Sequence, residues 1–305
     1  MQIYKPDLEN KHLLDQYLAY NNYYGCELSA ANNILWSQYY STGFTIIEDM
    51  LVFCRLEQNK PVMFSFPIGK HNHKKAFDYI VEYYKQQDKA FCMYMVHKEM
   101  YELIDSWYPE QYSIKYNRGE ADYLYSYDTL ANLAGKKLHG KRNHINRFLE
   151  KYPDYVYEEI DNNNYKECIK ISEDWAKENN PELEEDKDYE RKIIKSALID
   201  REVLGLKGAL IRVNDKAIAF TLGEKLTEDT FVIHFEKAYA DIQGAYPMIN
   251  REFVRNALDG YKYINREEDM DIPGLRHAKT SYQPIRLIEK GVVTPKHSNS
   301  NSINS

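Results

Sequence analysis

The sequence predicts a mixed α/β fold (α+β, with mixed sheets) built from two consecutive units of one kind, each a mostly antiparallel sheet flanked by helices. Three observations lead there. The apolar pattern runs helix, helix, three strands, helix, strand, helix, strand, and this order occurs twice along the chain. In each occurrence the third strand enters a helix through a loop and the next strand returns beside it, a parallel βαβ crossover on an otherwise antiparallel sheet. The chain has 305 residues and 43% hydrophobic content, more than one domain usually needs and enough for a sizeable core in each unit.

The first unit, 1–127, opens with two helical patterns. Leu13, Leu14, Tyr17 and Leu18 share a face, and Ala30, Ala31, Ile34, Leu35 and Gln38 follow a Ser29 that suits a helix start. GFTIIED, MLVFCRL and PVMFSFP then alternate as a three-stranded meander, with EQNK as a turn. A helix from Asn72 buries Ala76, Phe77, Ile80, Val81 and Tyr84, and is followed by the strand AFCMYMV, a short helix near 98–107 and a strand near 112–117. The second unit, 161–293, repeats the order with helices at 164–178 and 186–199. Its meander is VLGLKGALIRV, KAIAFTLGE and TFVIHFEKA, turned at Asn214-Asp215, and a helix from about 246, the strand YKYIN, a short helix near 274–281 and the strand IRLIE complete it. Between the units, 128–160 is a basic helical connector, and 294–305, rich in Ser and Asn, reads as a disordered tail. The two halves share no residue-level identity; what repeats is the order of elements.

Composition narrows the function classes. The 40 basic and 47 acidic residues leave a net charge of −7, which excludes a surface that clings everywhere to nucleic acid or anionic lipid, so any such partner must meet a local patch. No window approaches the roughly 20 apolar residues of a membrane helix, and MQIYKPDLENKHLLDQ has no signal-peptide core, so the expectation is a cytoplasmic chain without a transmembrane segment. Cys26, Cys54, Cys92 and Cys168 are far apart, with no CxxC pair, and read as buried thiols and not as zinc ligands. The 28 tyrosines fall mostly at core-edge positions, where a half-buried ring is the simpler reading than a stacking surface for nucleotides. HExxH and GxSxG are both absent, which removes support for a protease or metal hydrolase.

Three blocks carry the remaining information: GKKLHGKRNHINRF (135–148), HFEKAYADIQGAYPMINREF (234–253) and YINREEDMDIPGLRHAKTSYQP (263–284). Together they resemble the C-terminal domains of phosphatidylglycerol lysyltransferases and their free-standing bacterial relatives, formerly a domain of unknown function, over nearly the whole chain. The resemblance implies two tandem GNAT-like acyltransferase folds, similar to the Fem transferases that move amino acids from aminoacyl-tRNA. It also implies aminoacyl or acyl transfer, with aminoacyl-tRNA or acyl-CoA as donor and a small molecule, lipid headgroup or peptide as acceptor.

Each block has its own chemistry. From Lys136 to Arg147 there are five basic residues (Lys136, Lys137, Lys141, Arg142, Arg147) and no acid, a run that with Asn143 suits phosphates, although a solvated face or an Arg142 bridging the units would look the same. Gln243 and Gly244 precede a helix whose free N–H groups suit the donor's phosphate or carbonyl, while turn formation alone also explains Gly244. Asn265, Arg266, Glu267, Glu268 and Asp269 follow a buried strand and cannot all be buried unpaired, so they are expected to line a cleft facing Glu236. Arg276 and Lys279 lie one turn apart and can address one anion, and the competing reading is a salt bridge between Asp269 and Arg276. Glu236 or Asp269 is the expected base, Lys279 and Arg276 the electrostatic stabilisers and Tyr282 the proton donor. Asn265, Arg266, Glu268 and Arg276 are expected to hold substrate together with Lys137, Lys141, Arg142, Asn143, Gln243 and Gly244. The rival of another class is a binding module that keeps the fold without turnover and recognises a nucleotide, tRNA or peptide.

Overall fold

Hairpin chemistry sets the antiparallel part of the fold. The computed structural model describes residues 1–179, 182 and 188–296. After α1 (Lys11–Leu18) and α2 (Ala30–Tyr40), strands β1 (Thr42–Ile47), β2 (Met50–Glu57) and β3 (Lys60–Ser65) turn at Glu48-Asp49 and Gln58-Asn59. All four turn residues have φ between 48° and 61°, the left-handed region that a tight hairpin of this twist demands. Helix α3 (His73–Gln86) then lays Ala76, Phe77, Ile80 and Tyr84 on the sheet and leads to β4 (Met93–His97), which pairs parallel with β3. Helix α4 (Lys98–Trp107) and the long strand β5 (Tyr112–Ser126) follow.

Helix α5 (Tyr127–Asn132) starts one residue before the expected connector 128–160, and α6 (His139–Lys151) and the short strand β6 (Val156–Glu159) lie within it. The segment therefore connects and also builds, because β6 pairs with the second meander. That meander follows α7 (Tyr165–Asn179), α8 (Tyr189–Ile199) and α9 (Arg201–Leu204), and comprises β7 (Lys207–Val213), β8 (Lys216–Lys225) and β9 (Thr230–Ala238). Asn214 and Asp215 form its turn at φ 47° and 64°. Helix α10 (Ala245–Ala257) returns the chain to β10 (Tyr263–Asn265), parallel to β9, and α11 (Pro273–Thr280) precedes β11 (Arg286–Pro295).

Both crossovers expected from the sequence are present, and each unit has the expected meander, helix and parallel strand. The eleven strands form one sheet in the order β1-β2-β3-β4-β11-β5-β10-β9-β8-β7-β6. Two expectations change. The strand expected near 112–117 runs to Ser126, because the stretch after Asn117 bulges and pairing with β11 resumes at Asp122, where the segment from Ala121 to Tyr125 is buried. The strand IRLIE does not close the second unit, as β11 lies between β4 and β5 and reaches Pro295, two residues into the expected tail. The rest of the tail from 297, and most of the linker before α8, lie outside the described residues.

The units are joined by packing as well as by the sheet. Ala31 and Leu35 of α2 and Tyr123 and Tyr125 of β5 belong to the core of the second unit, while Val232 of β9 enters the core of the first. Ser29 does not cap α2 with its hydroxyl, which donates to the Cys26 carbonyl. The Ala31 N–H donates instead to the Glu224 carboxylate of β8, 3.1 Å away, so the free end of α2 is satisfied by a residue from the other unit.

Candidate functional site

Strands β9 and β10 pair only from Thr230 to Val232 with Tyr263 to Asn265. Beyond that point β9 continues while the chain leaves the sheet after Asn265, and Glu267 takes a left-handed φ of 57°. Such a divergence at strand carboxyl ends is where an open sheet offers a ligand site. Here it holds three connected groups of polar side chains at the junction of the units.

The deepest group surrounds Lys290 of β11, whose side chain is 2% exposed. Its ammonium lies 2.7 Å from Asp122, 2.9 Å from Glu27, 3.9 Å from Glu268 and 3.3 Å from the Cys26 sulfur. Asp122 is fully buried and also accepts from the Cys26 N–H at 2.7 Å and from Asn265 Nδ2 at 2.8 Å. Glu27 pairs in addition with His97, the last residue of β4. Cys26, Asp122 and Glu268 are the one group of metal-ligand type among the described residues, and the Lys290 ammonium already makes contact with all three. Burial pushes the Cys26 thiol well up, with the Asp122 charge adding to it, so it stays a neutral thiol.

His234 of β9 forms the second group, held between Glu224 at 3.0 Å and Glu267 at 2.7 Å. Burial alone would lower its pKa, yet the hydrogen bonds and charges of the two carboxylates raise it to about 10. The imidazolium therefore ties β8, β9 and the segment after β10 into one unit. Its folded pKa lies above the unfolded value of about 6.5, so its stabilising contribution is complete below that pH and is lost as pH rises through about 10. His234→Gln should flatten the fall in urea midpoint between pH 7 and 10 seen for the natural protein; an equally steep fall in the variant would exclude the clamp.

The third group packs on Tyr282, whose ring lies under Arg266 at 4.6 Å and Lys141 at 4.1 Å. Arg266 donates to Glu236 at 3.0 Å, and Asn250 donates to the other oxygen of the same carboxylate. Tyr282 is buried and its phenol is pushed well above its ordinary range, which suits a ring platform more than a proton donor.

The geometry changes several expected roles. Asp269 is not an available base: it is fully buried and receives Arg276 at 2.8 Å, the Tyr123 hydroxyl at 2.6 Å and Arg118 at 3.1 Å. The Arg276 hydrogen bonds, with those of Tyr123 and the Asp271 N–H, hold its carboxyl far below the usual range against the opposing effect of burial. Arg276 is thereby used as its partner. Lys279 donates to the carbonyls of Arg266 and Glu268 and is a positioning residue for that loop, with burial lowering its pKa. Asn265 is fully buried and braces the turn by accepting from the Glu267 N–H. Glu236 is taken by Arg266 and Asn250. Arg142 donates to the carbonyls of Leu133 and Gly135, and Asn143 pairs with His139 on its own helix. Lys137 is exposed. Gln243 is exposed, and Gly244 sits at φ 89° against α6, where a side chain would meet the His144 carbonyl at 2.5 Å, so the glycine lets α6 pack against the turn that starts α10.

Glu268 stands apart from its neighbours. Its side chain is 30% exposed, and loss of water raises its pKa to about 7; Lys290 works against the shift, while Asp122 and Glu267 add to it. A carboxylate that titrates near neutrality and reaches solvent is suited to move a proton. The sequence reading missed Cys26, Glu27, His97, Asp122, Glu224 and Lys290. A signal was present for three of them: Asp122, Glu224 and Lys290 are charges inside buried strand runs.

The sequence model described as phosphatidylglycerol lysyltransferase, C-terminal, matches residues 19–293. The chain belongs to this family. A conserved protein of unknown function from Bacteroides thetaiotaomicron is 37% identical, with 97% of this chain and 100% of that one covered at a TM-score of 0.89. The C-terminal domain of a candidate lysylphosphatidylglycerol synthetase from Agrobacterium fabrum is 13% identical, with 94% and 91% covered at 0.65. The L-PGS structure from Bacillus licheniformis is 15% identical, with 97% and 94% covered at 0.64. These last two share the fold. The chain is thus a domain of the phosphatidylglycerol lysyltransferase C-terminal family, with the fold that these two solved structures share. Among the described residues no helix is long and apolar enough to cross a membrane.

Proposed function

We propose that the chain transfers an aminoacyl group from an aminoacyl-tRNA to an amine or hydroxyl acceptor at the junction of its two units. The observation that carries this reading is the charge of the half-open site. In the first two groups Glu27, Asp122, Glu224, Glu267 and Glu268 are five carboxylates facing at most four cations, Lys290, His234, His97 and Lys279, while the positive charge lies apart in the third group, around Tyr282. An aminoacyl ester brings an ammonium that such an excess attracts, whereas an acyl-CoA brings a neutral acyl chain and an anionic pyrophosphate. The basic residues of α6 point the same way.

Glu268 is the base in this reading. The acceptor nitrogen or oxygen attacks the ester carbonyl and gives its proton to Glu268; the new bond forms as the ester C–O bond breaks, and the ribose oxygen leaves with that proton. Lys279 fixes the loop that presents Glu268, through its two backbone hydrogen bonds.

The test follows labelled amino acid on lysyl- and alanyl-tRNA in the presence of amine and hydroxyl acceptors. Loss of label from tRNA faster than spontaneous hydrolysis, together with tRNA retention that weakens steeply with salt, is the expected result. Thermal stabilisation by coenzyme A with no retention of any tRNA would sink the proposal.

A further inference from the structure

One buried donor in the third group is left without a partner. Arg266 uses Nη2 on Glu236 and its guanidinium also interacts with the Tyr282 hydroxyl, but its Nη1 is shut off from solvent and makes no hydrogen bond of good geometry. An orphaned guanidinium nitrogen in a buried site is costly, and it marks a place where a further acceptor belongs. Lys141 lies across the same Tyr282 ring, and its ammonium has no carboxylate within ion-pair distance among the described residues. Two cations therefore share one carboxylate, Glu236, and the cluster carries one uncompensated positive charge. Arg266 is 12% and Glu236 10% exposed, Tyr282 is buried, and Lys141 is half-buried, so the cluster opens to solvent on the Lys141 side. Lys137, four residues earlier in the chain, is exposed.

We propose that Lys141 and Arg266, stacked on Tyr282, form a subsite for a single phosphodiester anion. One oxygen would take the free Arg266 Nη1 and another the Lys141 ammonium, giving the planar guanidinium a second anion beside Glu236. A monoanion balances the charge; the pyrophosphate of a nucleotide cofactor would leave an excess of negative charge in a half-buried place. The shared chemistry has two sources, the last phosphodiester of an RNA 3′ end or the headgroup of a phospholipid. The inference deepens the aminoacyl-transfer reading and rests on it for the carrier of the phosphodiester. Burial and the nearby Arg266 charge lower Lys141 to about 8, so it should react with acylating reagents before other lysines do.

Three measurements on the full chain test the proposal. Labelling of Lys141 by a small amine reagent, read by mass spectrometry, should slow several-fold in millimolar dimethyl phosphate. Lys141→Gln should weaken binding of an uncharged RNA minihelix ending in CCA by about tenfold and reduce its salt slope by about one, while Lys141→Arg keeps both. Vesicles of phosphatidylglycerol should bind both variants as they bind the natural protein. If the vesicles and not the RNA lose affinity, the subsite stands with a lipid as its source. Protection by dimethyl phosphate with neither RNA nor vesicles affected leaves the subsite standing for a phosphodiester on another carrier, and the tRNA-donor reading is then decided by tRNA retention alone. Absence of protection together with unchanged binding of Lys141→Gln to both probes overturns the subsite.

Discussion

Lys290→Met should lower the stability of the protein by about 3–5 kcal/mol, the cost of removing one partner from a buried ion pair, and its thermal midpoint by roughly 10 °C. The ammonium is 2% exposed and stands among Asp122, Glu27 and Glu268. Burial works to lower its pKa, but those carboxylates, Asp122 first, overcome this and hold it well above its ordinary value. Methionine keeps much of the volume and removes the charge, so the carboxylates remain desolvated without their main counter-ion. Combining it with Asp122→Asn should recover part of the loss, because the two residues share one interaction and their effects cannot add. A double-mutant cycle by urea denaturation reads the coupling. Strict additivity, or a single-variant loss below about 1 kcal/mol, would show that the buried acids take up protons cheaply and need no counter-ion.

Glu268→Gln should reduce turnover by a factor of roughly 10²–10⁴, the usual contribution of a general base, with little change in donor affinity. The natural protein should gain activity as pH rises through about 7, where Glu268 loses its proton, and the variant should lack that limb. Stability runs the other way. The folded pKa lies above the unfolded value, so the contribution of protonated Glu268 is complete below about 4.5 and is lost as pH rises through about 7. The neutral glutamine escapes that loss and should leave the variant at least as stable as the natural protein at pH 8. Reduced turnover with preserved stability separates a proton-transfer residue from a structural one; equal turnover across the pH range would remove Glu268 from the chemistry. Asp269→Asn offers the contrast, since Arg276, Arg118 and Tyr123 all lose their shared charge and stability should fall first.

The element order was legible because period and turn chemistry are local. Asn214-Asp215 marked its hairpin, and both parallel crossovers followed from a strand, a helix and a returning strand. Partner choice among strands was not legible. Nothing in RLIE reveals that β11 fits between β4 and β5, for every buried strand of that composition offers the same edge. The site was half legible for a related reason. Polarity after β10 showed that Asn265 to Asp269 needed partners, and the Asp269–Arg276 pair could be named from spacing alone. The acid with freedom to act depended on residues far away in sequence: Asp122 and Lys290 surround Glu268, while Arg118 and Tyr123 occupy Asp269. His234 illustrates the same limit, because its two carboxylates come from β8 and from the segment beyond β10.

The place of β11 bears on how the chain reaches its folded state. Residues 286–295 fill the slot between β4 and β5, and Lys290 comes with them. During synthesis the first unit emerges with that slot empty and with two strand edges unpaired, and it waits for the whole of the second unit to follow. Asp122 meets its lysine partner only at that step, and Glu27, already beside His97, gains its second partner there. Sheet closure, neutralisation of the buried acids and assembly of the junction are thus one late event, so the half-made chain has neither a finished edge nor a working site.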